Sequence, residues 1–295
     1  MSEKERVDVF RQLRNWLRAR TLGIRSLGIR FRELVSHFGW RAAIGYWVHR
    51  RMGLLRGPLR GLHPPQLIHP VWAREDSSDL AVAAQIFYEA EYACIDKMTN
   101  VGMIVDCGAN VGYFSAYCLS RFPDCQVVAV EPDAGNFAML RRNLLPYRNR
   151  VRLVHGGVWS HPARLAISES KYRDGREWTK QVRECRPDDN ADIEGIDIAT
   201  LLQKSGHHRI SILKIDVEGA EAVIFSANYQ SWIGNVDAIV IELHDDSLFG
   251  KASEIFHSAI EGRHFQVSRS GEITICTSAA SCRLGAGRSH ESTAA

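Results

Sequence analysis

Val105-Asp106-Cys107-Gly108-Ala109-Asn110-Val111-Gly112-Tyr113-Phe114 is the stretch that decides the fold. The apolar run from Met103 to Val105 reads as a buried strand. It ends on an acidic residue and a turn with glycines four apart, and an apolar helical pattern follows. Small residues at a strand end let a ligand touch backbone, and a helix N-terminus then faces it. The glycine spacing is not that of the dinucleotide fingerprint, which speaks against a pyrophosphate and against a nicotinamide oxidoreductase. A cofactor with an adenosine end and no pyrophosphate fits the turn.

Outward from this motif, apolar runs and helical patterns alternate. Strands are predicted near 103–106, 126–131, 151–158, 210–216 and 238–243, with a closing hairpin over 264–277. Helices are predicted near 80–92, 112–121, 134–145, 197–203, 220–228 and 253–260. The pattern means βαβ units and a mainly parallel, seven-stranded sheet in an α/β chain. Residues 161–190 are polar and read as irregular.

Charge divides the chain. Residues 1–60 carry 14 Lys and Arg against 4 Asp and Glu, so the arm is strongly basic and the rest acidic. Apolar residues at helical spacing in the arm (Val7, Phe10, Leu13, Leu17) predict an N-terminal helical extension. It reads either as a helix packed on the body or as a peripheral contact with an anionic membrane. The expected division is 1–69 for the extension and linker, 70–278 for the catalytic domain and 279–295 for a disordered tail. An acidic body repels phosphates and argues against nucleic acid. Seven cysteines with no C-x-x-C pair exclude a zinc ribbon, and buried reduced thiols imply a cytoplasmic protein, with membrane association left to the arm. No run of about 20 apolar residues is present.

Three further motifs carry chemistry. Val127-Val128-Ala129-Val130-Glu131-Pro132 places Glu131 at the end of the next strand, where a carboxylate can accept both hydroxyls of a ribose. Lys214-Ile215-Asp216-Val217-Glu218-Gly219-Ala220-Glu221 delivers Asp216 to the carboxyl edge of the sheet. Glu221 there reads most simply as a charge favouring a helix N-terminus. Ile241-Glu242-Leu243-His244 puts Glu242 and His244 on one side of that same edge. His244 is the candidate base for a hydroxyl proton, oriented by Asp216 and Glu242. The same three residues are a candidate ligand set for a divalent metal such as Mg.

With these motifs in place, the chain resembles the FkbM family of S-adenosylmethionine-dependent methyltransferases. The resemblance rests on Val105 to Ser115, Glu131-Pro132, Asn136-Phe137, Asn143-Leu144, Leu213 to Glu221 and Ile241 to His244, with weaker likeness over Arg74 to Leu80. It implies a Rossmann-like sheet with helices on both faces, the last hairpin inserting one antiparallel strand. It implies that Asp106, Gly108, Asn110 and Gly112 hold the methionine end of the cofactor, that Glu131 binds its ribose, and that Gly157-Val158-Trp159 borders the adenine. The implied reaction is methylation of a hydroxyl, with a sugar, a glycolipid or another small molecule as acceptor.

Overall fold

The computed structural model describes residues 59–75, 77–168, 181–186, 188–189 and 193–278. The basic arm before residue 59 and the tail 279–295 lie outside the described residues.

Seven strands make the central sheet. They are β3 (Met103–Cys107), β4 (Gln126–Glu131), β5 (Val151–His155), β10 (Ile212–Ile215), β11 (Ala238–Glu242), β12 (Phe265–Ser270) and β13 (Ile273–Ser278), and their spatial order is β12-β13-β11-β10-β3-β4-β5. The pairings among β5, β4, β3, β10 and β11 are parallel. β13 lies antiparallel to both β11 and β12, so the sheet is mixed. The closing hairpin with its antiparallel strand is as the sequence led us to expect.

The core follows from strand alternation. Ile104, Val127, Ala129, Ile212 and Val240 face one way, onto α1 (Asp79–Phe87), α2 (Tyr113–Arg121) and α3 (Ala134–Leu144). Met103, Val105, Val128, Leu213 and Ile239 face the other way, onto α4 (Ile198–Ser205), α5 (Glu221–Ser226) and α6 (Ala252–Ile260). Both faces are covered, which is why the strands read as continuous apolar runs. The strand order reverses between β3 and β10, and open α/β sheets hold ligands outside the carboxyl ends at that point.

Two regions differ from the sequence reading. Residues 59–74 form a hairpin of β1 (Leu59–Leu62) and β2 (Val71–Arg74), where a linker was expected up to residue 69. Asn143 ties it to the body, accepting from the Trp72 amide at 2.7 Å and donating to the Trp72 and Val111 carbonyls at 3.1 and 2.8 Å. The expected strand 151–158 breaks at Gly156. Beyond it, β6 (Gly157–Val158) leaves the central sheet and joins a second one of order β6-β9-β7-β8, with β7 (Ala163–Ile167), β8 (Val182–Glu184) and β9 (Ile193–Ile196). Gly156 is required there, because a Cβ would stand 2.7 Å from the Glu194 carbonyl oxygen. The segment 161–190 is therefore partly strand rather than irregular. Among the described residues, no helix is long and apolar enough to cross a membrane.

Candidate active site

The switch point is built from two turns in direct contact. Gly108 and Gly112 both have positive φ, as does Asn110 between them. A Cβ on Gly108 would lie 1.9 Å from the Asp216 carbonyl oxygen, so only glycine lets the turn after β3 meet the turn after β10. Gly112 makes room of a different kind, since a Cβ there would lie 2.7 Å from Cδ1 of Leu140 in α3. It shapes the entry to α2.

Buried charge holds the two turns together. Asp106 is wholly buried and accepts from the Ser115 hydroxyl at 2.6 Å. Lys214 Nζ stands 3.3 Å from Asp106 and 3.6 Å from Asp216, and donates to the Gly108 carbonyl at 2.7 Å. Burial alone would lower the Lys214 pKa, but Asp106 and Asp216 raise it well above the usual range, so the ammonium stays charged. Asp106 thus braces the glycine turn from beneath.

Glu131 sits at the end of β4, nearly buried. It accepts from the Asn110 amide at 2.8 Å and the Asp133 amide at 2.9 Å. Asn136 Nδ2 donates a longer bond to Glu131 Oε1 at 3.5 Å, and the lone pair left on Oε2 suits a ribose hydroxyl. Burial pushes its carboxyl up to about 7, against the pull of those backbone donors. Asp133 caps α3 by accepting from the Asn136 amide. Asn136 Oδ1 in turn accepts from Arg74, whose guanidinium is bidentate on the buried Asp79 at 2.8 and 3.0 Å. The Arg74–Asp79 segment therefore backs the Glu131 wall. Asn110 Oδ1 is buried with no hydrogen-bond partner, at the place where a bound polar group is expected. These groups fit the adenosine and amino-acid parts of S-adenosylmethionine.

The third component is an acid–imidazole cluster past β10 and β11. His244 is 1% exposed. Its Nδ1 lies 2.8 Å from Oε1 of fully buried Glu221, and its Nε2 lies 3.5 Å from Glu242 and 3.8 Å from Glu218. Glu221 also accepts from the Val217 and Gly219 amides, so it fixes both the turn and the ring. Burial by itself would lower the His244 pKa, but the hydrogen bond its Nδ1 donates to Glu221 and the nearby Glu242 and Glu218 carboxylates raise it to about 11. The ring is then an imidazolium at neutral pH and takes up no further proton. In that state it pairs with the surrounding carboxylates rather than serving as the base expected from sequence, and Asp216 Oδ1 lies buried nearby with no hydrogen-bond partner. Glu218 adopts φ 54°, a strained backbone held where the cluster forms.

One residue of the cluster escaped the sequence reading. Glu221 was assigned to a helix terminus, and only the return of β11 beside it reveals the pairing. Glu91, after α1, has its carboxyl pushed up to about 8 by burial and then by the charges of Glu242 and Asp216. For metal, one ligand atom each of Asp216, Glu218 and His244 fall within 4.8 Å of one another, so Glu218 replaces Glu242 in the expected set. Trp159 packs with Leu165, Val182 and Ile193 in the core of the small sheet, meets Phe249 edge-on, and donates its indole N–H to Glu184 at 2.8 Å.

A methyltransferase FkbM domain matches residues 106–264, more than half of the chain. The chain belongs to the FkbM methyltransferase family. It is an S-adenosylmethionine-dependent methyltransferase. The methyltransferase is similar to "Methyltransferase 1" of Beauveria bassiana, 28% identical over 51% of this chain and 70% of the relative. It is also similar to "Methyltransferase sdnD" of Sordaria araneosa, 24% identical over 64% of this chain and 84% of the relative. Among solved structures, a SAM-dependent methyltransferase from Agrobacterium tumefaciens aligns over 75% of this chain and 70% of its own, at 8% identity and a TM-score of 0.43.

Proposed function

We propose that this methyltransferase methylates a hydroxyl oxygen of a sugar or glycolipid-type acceptor. The observation that carries the reading is the cluster of Asp216, Glu218, Glu242 and the Glu221–His244 pair at the carboxyl edge, touching the glycine turn through Gly108. S-adenosylmethionine supplies a methyl group already activated by its sulfonium. The protein then has three tasks. Glu131 and Asn110 hold the donor's polar groups. The Lys214–Asp106–Asp216 bridge fixes the two turns against each other, so donor and acceptor keep one geometry. A carboxylate of the Asp216 and Glu242 pair takes the hydroxyl proton, because an alcohol is a weak nucleophile while protonated. The imidazolium of His244 keeps this dense negative charge together. If a divalent metal binds, Asp216, Glu218 and His244 hold it, and His244 gives up its proton to do so.

The test is methyl transfer from labelled S-adenosylmethionine into small-molecule extracts of cells lacking the protein. Products gaining one methyl are found by mass spectrometry and treated with mild alkali. An alkali-stable ether is expected. A labelled ester, or label on nitrogen, overturns the hydroxyl assignment.

A further inference from the structure

The small sheet brings one unsatisfied polar group to the acid cluster. Gln181 directly precedes β8, and its carbonyl accepts from the Ser168 amide at 2.8 Å, which fixes its register against β7. Its side chain is 3% exposed, yet neither Nε2 nor Oε1 has a hydrogen-bond partner. A primary amide taken out of water without partners is destabilising, and native folds rarely keep one. Its location is specific. A Cβ on Gly219 would stand 2.7 Å from Gln181 Nε2 and 2.5 Å from Ser247 Cβ. Gly219 has φ 111°, and its amide donates to Glu221, the carboxylate that grips His244. Glycine at this position is what lets the amide of Gln181 lie on the catalytic turn.

We infer that Gln181 is a specificity-determining residue that reads the acceptor. Its Oε1 accepts a hydroxyl proton and its Nε2 donates to a neighbouring oxygen. A vicinal diol offers both partners at adjacent carbons, so the amide matches a polyhydroxylated acceptor and disfavours an apolar one. This rests on the proposed hydroxyl transfer and deepens it.

Gln181→Met keeps the side-chain length and removes both polar atoms. Three measurements are made on the full chain: calorimetric affinity for S-adenosylhomocysteine, the thermal midpoint, and labelled methyl transfer into the extract described above, titrated in extract concentration. The expected result is unchanged affinity, an equal or higher midpoint, and transfer reduced about tenfold at limiting extract, the effect of losing one or two neutral hydrogen bonds. Transfer equal to wild type at every concentration overturns the inference, and so does a lowered midpoint with transfer intact, which marks a structural amide. An alkali-labile product from wild type sinks the hydroxyl reading alone, and the extract titration still judges Gln181. If wild type labels nothing, the midpoint decides: an equal or higher value supports an amide kept for a ligand, and a fall overturns it.

Discussion

Replacing Glu221 by Gln tests whether the imidazole of His244 is held charged. Carboxylate and ring are both buried, 2.8 Å apart. Gln keeps the shape, and its carbonyl can still serve the Val217 and Gly219 amides, but the negative charge is gone. Removing one partner of a buried ion pair costs roughly 3–5 kcal/mol when the remaining charge is stranded. His244 can shed its proton, so the low end, about 3 kcal/mol, is expected in urea unfolding. The pH dependence has a definite sign. The folded pKa, about 11, lies above the ordinary 6.5, so this pair's contribution is complete below 6.5 and is lost as pH rises through 11. The variant loses that slope. Long-range nitrogen–proton NMR of the imidazole, recorded in chelator, reads the ring directly. Wild-type His244 is expected to stay protonated up to about pH 9, and the variant ring to titrate near or below its ordinary value. A wild-type ring titrating near neutrality would refute the reasoning, as would a variant as stable as wild type.

Three further outcomes follow from the described contacts. Affinity for S-adenosylhomocysteine, measured by calorimetry, should hold steady in mild alkali and fall as pH drops below about 7, because a proton on Glu131 competes with ribose donors; a flat profile would remove its ribose role. Gly108→Ala should abolish cofactor binding and destabilise the fold by about 2 kcal/mol or more in thermal melts, since its Cβ would stand 1.9 Å from a backbone oxygen; a variant that binds normally would show the turns are not in contact. Arg74→Ala should cost about 3 kcal/mol in urea unfolding by stranding buried Asp79, and Asp79→Asn in that background should recover part of it; independent effects would argue against the pair.

The positions of the glycine turn and of Glu131 were legible in the sequence because they are local: Asp106, Gly108 and Asn110 lie at one strand end and turn, and Glu131 ends the very next strand, while their expected cofactor roles came from the family resemblance. The acceptor half depends on contacts that spacing does not encode. Glu221 and His244 are 23 residues apart, and a glutamate opening a helix carries no mark of a second partner. The small sheet was invisible because its strands are two to five residues long and sit in charged sequence, where alternation is too brief to register. The burial of Trp159 could not be foreseen for the same reason. His244 shows a further limit: residue type names a group able to titrate, and only the surroundings say in which state it rests.

The break at Gly156 has a consequence for how such an enzyme diversifies. Past that residue the chain leaves the central sheet and folds into its own ladder before returning. Sequence changes in this wing leave the parallel strands and their two covering layers undisturbed. This wing can therefore vary in sequence while the central scaffold stays as it is.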